Sequence, residues 1–491
     1  MNLRCLLLVL VLSLSVNACA PNAEALATLN PSTATPNPDL AMQDCPTGTG
    51  LPAGAQCGVL RVYENPARTG RKIPLAFLRL PAQNQSTGPD ATFLLAGGPG
   101  QSAIQAFLPL LSALDPLRQS RDVVILDQRG TGSSNALNCP PEDASGSDGP
   151  ASPSATQTRL LACLQSLDSD PRFYTTAQAA ADLEAVRQAL DYTQVNLVGV
   201  SYGTRLALEY MRLYPTSTRS LVLDGVAPMG WLLGPSAPGD AASALNKIFA
   251  RCQSEAACHQ AFPNLSGEFD ALVAAIEKQP AQLTIPDPSS GVPIQLRFDR
   301  DRLAQTILTL SYAQETAVLL PLLIHTAYAT QDFTPLAAQY EIINHTLEQG
   351  VAEGLYLSVV CAEDVPFFPT TQPEPSYLPD QTPDLMNRCS VWPHDPAPAQ
   401  FLEPVHSDKP VLLISGEADP ITPPANAALA AQTLTNTLQI TLPGMGHNNL
   451  YRGCLPRLTA AFIAQLSTKI DPSCAKEIQP MPFFTNFTGP A

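Results

Sequence analysis

Val195-Asn-Leu-Val-Gly-Val-Ser-Tyr-Gly-Thr-Arg-Leu-Ala-Leu-Glu-Tyr210 sets one serine between two glycines, after an apolar run and before an amphipathic one. Gly-x-Ser-x-Gly says little alone, since ordinary Gly and Ser frequencies produce it in roughly one chain of this length in six. Its setting says more. VNLVGV reads as a short buried strand, and YGTRLALEYMRLYP as a helix whose Leu206, Tyr210 and Leu213 recur at helical spacing. A turn that tight crowds main chain and side chains together, so glycine is needed on either side of Ser201. The serine then stands at the tip of the turn with its hydroxyl exposed and a helix N-terminus beneath it, the arrangement of a nucleophile elbow. Such an elbow predicts a histidine, an acid and an oxyanion hole elsewhere in the chain.

The chain can support them. Its 491 residues, 45% hydrophobic and 14% charged, bury a large core and suit more than one domain, or one domain with a large insertion. A net charge of -16 with no basic run argues against a nucleic-acid partner and for a soluble acidic surface. The 49 prolines, about twice the average frequency, fit a loop-rich exported protein.

Export is also written in the first residues. MNLRCLLLVLVLSLSVNACA has one positive charge, an apolar run and then small residues, a signal peptide too short to span a membrane. Val16-Asn-Ala-Cys19 resembles a bacterial lipobox, with Cys19 the acylated mature N-terminus and Ala20 favouring an outer-membrane or cell-envelope location. Ala18-Cys19-Ala20 also reads as an ordinary cleavage site for a periplasmic or secreted protein. Residues 20-43 are expected to form a flexible tether. Setting aside Cys5 and Cys19 leaves ten cysteines, an even number that suggests disulfides in an exported chain. They fall into neighbouring pairs, so the expected bridges are Cys45-Cys57, Cys139-Cys163, Cys252-Cys258, Cys361-Cys389 and Cys454-Cys474. With no Cys-x-x-Cys pair or HExxH helix, no metal site is expected.

Cys57-Val62 and Ile73-Leu80 read as a hairpin. Thr92-Ala96, Asp122-Leu126, Val195-Val200, Ser220-Leu223, Val411-Ser415 and Leu438-Leu442 are strands separated mostly by helices, of which Ala177-Leu190 is the clearest. This alternation implies an α/β protein with a mostly parallel sheet flanked by helices, its chemistry in loops at the strands' carboxyl ends. Residues 229-404 break the pattern. Amphipathic stretches at Ala241-Cys252, Asp301-Leu310, Thr316-Ala329 and Leu336-Glu348 predict a large helical cap inserted after the sixth strand. It divides the core into residues 44-228 and 405-491.

Gly416-Glu-Ala-Asp-Pro-Ile-Thr-Pro423 follows the first strand after the cap, and Asp419 is the expected partner acid. Glu417 is a nearby rival and Asp224 a further one. Only His447, in Leu442-Pro-Gly-Met-Gly-His-Asn-Asn449, follows a late strand in a glycine-rich loop. The order Ser201, Asp419, His447 is that of an α/β-hydrolase fold. Tyr202 would supply one backbone oxyanion donor, and Gly97 or Gly98 of Leu95-Ala-Gly-Gly-Pro-Gly-Gln-Ser102 the other.

GGPGQS at 97-102, DQRGTGSS at 127-134, GVSYGT at 199-204, GEADPITP at 416-423 and GMGH at 444-447 together resemble the prolyl iminopeptidase and tripeptidyl aminopeptidase family of serine exopeptidases, from about residue 90 to 475. Lys409 to Cys474 resembles the C-terminal segment of the tripeptidyl branch. Asp127 and Arg129 are expected to organise the floor of the site. Ala96 stands where the prolyl enzymes have His, and Asn448 where tripeptidyl relatives often have Gly. The resemblance implies an aminopeptidase acting on short peptides through an acyl-enzyme, without a cofactor, and a carboxylate for the substrate's α-ammonium. In Ser358-Val-Val-Cys-Ala-Glu-Asp-Val-Pro-Phe-Phe368 the candidates are Glu363 and Asp364. A carboxylic ester hydrolase using the same triad is the alternative function, and a non-catalytic envelope binding protein another.

Overall fold

A computed structural model describes residues 37-46, 50-84, 88-140, 152-288, 290-371 and 374-490. The expected signal peptide with Cys19 and residues 20-36 of the expected tether lie outside these. Eleven strands occur among the described residues: β1 (Leu40–Asp44), β2 (Gln56–Tyr63), β3 (Lys72–Leu80), β4 (Asp90–Leu95), β5 (Val123–Leu126), β6 (Gln194–Val200), β7 (Thr218–Asp224), β8 (Ala281–Pro286), β9 (Pro293–Phe298), β10 (Val411–Gly416) and β11 (Thr437–Leu442).

Nine of them form one sheet in the order β1-β2-β3-β5-β4-β6-β7-β10-β11. Pairing is antiparallel from β1 through β5 and parallel from β5 to β11. The parallel strands are apolar runs because both faces are covered. Phe93, Leu95, Leu197, Leu221, Leu223 and Leu413 point into one core, with the helices Thr176–Ala189 and Tyr202–Leu213. The alternate residues Leu94, Val198, Val222, Leu412 and Ile414 point into the other, with the helix Leu455–Gln465. From β4 the chain passes to β5 on one side and later to β6 on the other. The loops after β4 and β6 therefore part at a switch point, where an open α/β sheet has its crevice.

Three features differ from the sequence reading. Residues 40-43 belong to β1, where Leu40 and Ala41 are buried against β2, so they are an edge strand and not tether. The inserted region, between β7 and β10, holds the hairpin β8-β9 among its helices, with Ile285, Leu296 and Phe298 packed into its core. The predicted helix over Thr316-Ala329 is broken into Gln314–Ala317 and Leu320–Thr330, the second with proline in its first turn. Phe483 from the C-terminal segment enters the same core, under the guanidinium of Arg251 at 3.9 Å from its ring centroid. All five expected disulfides are formed.

Candidate active site

β6 ends at Val200, and Ser201 follows at φ 56°, ψ -127°. A non-glycine residue at positive φ costs energy, and the surrounding packing holds it there. A Cβ on Gly199 would overlap the carbonyl of Gly203, and one on Gly203 would overlap the carbonyls of Leu95 and Ala96. Both glycines are thus required, one to close the turn and one to seat the helix against the end of β4. The Ser201 N–H donates to the Asp224 carbonyl at 2.9 Å, and Thr204 returns both its N–H and its hydroxyl to the Ser201 carbonyl.

The loop after β4 passes directly over the serine. A Cβ on Gly97 would lie 2.9 Å from Ser201 Cβ and 3.3 Å from Ser201 Oγ. Only a glycine lets the backbone approach this closely, and Gly98 next to it has φ +105°. The loop is held from two sides. Asp127 accepts from Ser102 Oγ at 2.7 Å and from the N–H groups of Ile104 and Ser133 at 3.0 and 3.1 Å. From the inserted region, the Ala352 N–H donates to the Gly100 carbonyl at 2.9 Å. Arg129, fully buried, forms a two-pronged pair with Asp182 at 2.6 and 2.7 Å and donates to the carbonyls of Glu64 and Phe173.

Asp419 and His447 meet beside Gly225, the residue after the one whose carbonyl takes the Ser201 N–H. His447 Nδ1 lies 2.7 Å from Asp419 Oδ2, and both groups are buried. The other Asp419 oxygen accepts from the N–H groups of Ile421 and Thr422 at 2.9 and 2.8 Å. Burial works against the charge of Asp419, but the His447 charge and hydrogen bond, with these N–H groups, hold its carboxyl below the usual range. Burial likewise opposes the imidazolium, yet Asp419, with a contribution from Asp224, raises the His447 pKa above its ordinary value. Glu417, the rival acid, instead accepts from the Gly444 N–H.

Three neighbours of the imidazole escaped the sequence reading. Thr422 Oγ1 donates to Asp419 Oδ2 at 2.9 Å and lies 3.1 Å from His447 Nδ1, touching both partners of the pair. The turn from Asp419 to Thr422 is legible in GEADPITP, but the contact with a histidine 25 residues on is not. Tyr312, from the inserted region, accepts the His447 N–H on its carbonyl at 2.6 Å and sets its ring edge-on to the imidazole, centroids 5.4 Å apart. Gly225, at φ +66°, faces the ring so closely that a Cβ there would lie 2.8 Å from His447 Cε1.

Glu363 and Asp364 end the helix Glu353–Glu363 and are almost wholly buried. Glu363 accepts from the Thr176 N–H and hydroxyl, both at 2.6 Å. The Thr176 hydroxyl is in turn 2.7 Å from that of Tyr202. Asp364 takes Arg205 Nη1 at 3.1 and 3.2 Å on its two oxygens, and the Leu233 N–H at 3.0 Å. All four oxygens therefore accept hydrogen bonds from the protein, which departs from the expected carboxylate held open for a ligand. The physical reason is Arg205, one turn after Ser201 and itself buried, which needs a counter-ion. Burial pushes the Glu363 carboxyl up to about 7 against the pull of Thr176 and Arg205, and raises that of Asp364 against the pull of Arg205.

A family model described as alpha/beta hydrolase fold matches residues 93–315, and one described as TAP-like protein matches residues 375–474. The chain has the α/β-hydrolase fold, and its residues 375–474 are similar to a TAP-like segment. Among curated proteins it is similar to YuaR of Escherichia coli, 31% identical over 180 residues, 35% of this chain and 36% of that protein. It is similar to the serine protease Hip1 of Mycobacterium tuberculosis, 31% identical over 193 residues, 36% of each chain. The tripeptidyl aminopeptidase of Streptomyces coelicolor is 30% identical over 201 residues, 38% of this chain and 37% of that protein. The matched stretches span little more than a third of these relatives' length. The chain has no group of metal-ligating side chains among its described residues, and none of its described helices is long and apolar enough to cross a membrane.

Proposed function

We propose that this protein is an exported serine exopeptidase that removes N-terminal residues, dipeptides or tripeptides from short peptides. The observation that carries the reading is the union of a positive-φ Ser201, faced by Gly97, with a buried Asp419–His447 pair at 2.7 Å. In this mechanism Ser201 attacks the scissile carbonyl while His447 takes its proton. The N–H groups of Tyr202 and of Gly97 or Gly98 receive the developing oxyanion. Asp419 fixes the tautomer and stabilises the imidazolium, which then protonates the leaving amine. Water hydrolyses the acyl-enzyme with His447 again as base. The reaction needs only these groups.

Preference for a free amine follows from charge. Arg205 pairs with Asp364 and leaves Glu363 without a cation of its own, so as pH rises through about 7 and Glu363 ionises, the cluster beside Tyr202 becomes net negative and attracts an ammonium. Glu363 acts here through its field, its oxygens being held by Thr176. Export is supported by the five disulfides, which persist in oxidising compartments. Acylation of Cys19 belongs to the same proposal, and Cys19→Ala should release the protein from the membrane fraction.

The test is hydrolysis of aminoacyl, dipeptidyl and tripeptidyl chromogenic amides, free and N-acetylated, beside p-nitrophenyl esters. Amide cleavage that needs a free amine and Ser201 supports the exopeptidase. Ester turnover without amide turnover supports the ester hydrolase instead.

A further inference from the structure

We propose that Asp224 is a positioning residue that holds the nucleophile and the base in register with one another. The proposal rests on the reading of Ser201 and His447 as nucleophile and base, and adds a residue to it. Asp224 is the last residue of β7, between the strand of the elbow and β10, and it is fully buried. Its carbonyl accepts the Ser201 N–H at 2.9 Å, fixing the elbow. Its carboxylate Oδ2 accepts the N–H groups of Asn449 and of Leu450, the latter at 2.7 Å, fixing the loop just after His447. Gly225, the next residue, is anchored by its own N–H to the Ile414 carbonyl at 3.0 Å and presents bare backbone to the imidazole. Two catalytic loops separated by more than two hundred residues thus share a single residue as their common support.

The carboxylate is more than a clamp. An asparagine carbonyl could accept the same two N–H groups without the cost of burying a charge. Asp224 Oδ1 is buried with no hydrogen-bond partner among the described residues, so the charge is not there to complete a network. The ionisable groups that feel it are His447, Asp419, Tyr451 and Arg452. Of these His447 is the one whose charge changes during acyl transfer. A buried negative charge behind the ring favours the imidazolium formed as Ser201 loses its proton, supplementing Asp419. Burial raises the Asp224 carboxyl to about 6, against the pull of the two N–H groups and His447, so it is mostly ionised at neutral pH.

The experiment compares wild type, Asp224→Asn and Asp224→Ala on one tripeptidyl amide across pH, and measures the rate at which a fluorophosphonate probe labels Ser201. Asp224→Ala should lower kcat about 100-fold with KM changed by less than about threefold, since loop register and not substrate contact is lost. Asp224→Asn should keep the thermal midpoint, lose about tenfold in kcat and move the acid limb of kcat/KM to lower pH. The sign follows from removing a negative charge, which lowers the imidazole pKa, so the base stays neutral further down. If the alanine variant does not fold, as judged by circular dichroism, the isosteric asparagine variant carries the test. An asparagine variant matching wild type in kcat, labelling rate and acid limb overturns the proposal. Wild type that neither takes the label nor turns over substrate overturns the reading of Ser201 instead.

Discussion

The elbow and the histidine loop do equal work in the proposed chemistry, yet they are held by different means. Around Ser201 the constraints are backbone and glycine: Gly199 against Gly203, Gly203 against Leu95 and Ala96, Gly97 against the serine itself. Around His447 they are largely side chains and carbonyls from distant elements: Asp419 and Thr422 after β10, Asp224 at the end of β7, Tyr312 from the inserted region. A backbone-defined turn tolerates almost no change. A ring held by several independent contacts should lose function in graded steps.

The largest losses should come at the elbow. Gly203→Val forces a branched side chain into the main chain of β4, and we expect no folded protein, read by soluble yield and thermal unfolding. Ser201→Ala should fold normally and lose at least about 10⁴-fold in kcat/KM. A Gly203→Val protein that folds and turns over substrate would break the contrast between the two regions.

Next comes the acid. Asp419→Asn should cost about 10⁴-fold in kcat by presenting the wrong tautomer of His447. The pH dependence sharpens the point. The raised imidazole pKa means the base is still protonated somewhat above its ordinary 6.5, so wild-type kcat/KM should fall as pH drops through a limb lying above that value. Removing the Asp419 charge should shift the limb downward, which a pH–rate profile measures.

Thr422→Val should be milder, about tenfold in kcat, because it removes one hydrogen bond to Asp419 and leaves the pair in place. Steady-state kinetics at saturating peptide would show it. The smallest effect should be that of Glu315→Gln, which breaks the two-pronged ion pair joining the inserted region to Arg452 near the histidine loop. Glu315 is partly exposed, so activity should stay within about threefold of wild type.

The same contrast explains what could be read from the sequence. The parallel strands were legible because residues such as Leu94 and Leu95 are apolar on both faces, and the elbow because its glycines are adjacent in the chain. The disulfides were legible because each pair is local, with separations of 6 to 28 residues. β1 was hidden because Leu40 and Ala41 lie in a stretch otherwise rich in proline and polar residues. The β8-β9 hairpin was hidden by the helices around it. Glu363 and Asp364 stood out as an acidic pair, but their partners Thr176 and Arg205 are 187 and 159 residues away. Tyr312 carried no local signal, since its contact with His447 exists only once the inserted region is packed.

The most direct test of the account is the intact mass of the protein quenched during turnover of a slowly deacylating p-nitrophenyl ester, with the adduct mapped by peptide digestion. The account predicts one acyl group per chain, on Ser201, abolished in Ser201→Ala and formed far more slowly in Asp419→Asn. Turnover without an adduct on Ser201, or an undiminished rate in Ser201→Ala, would contradict it.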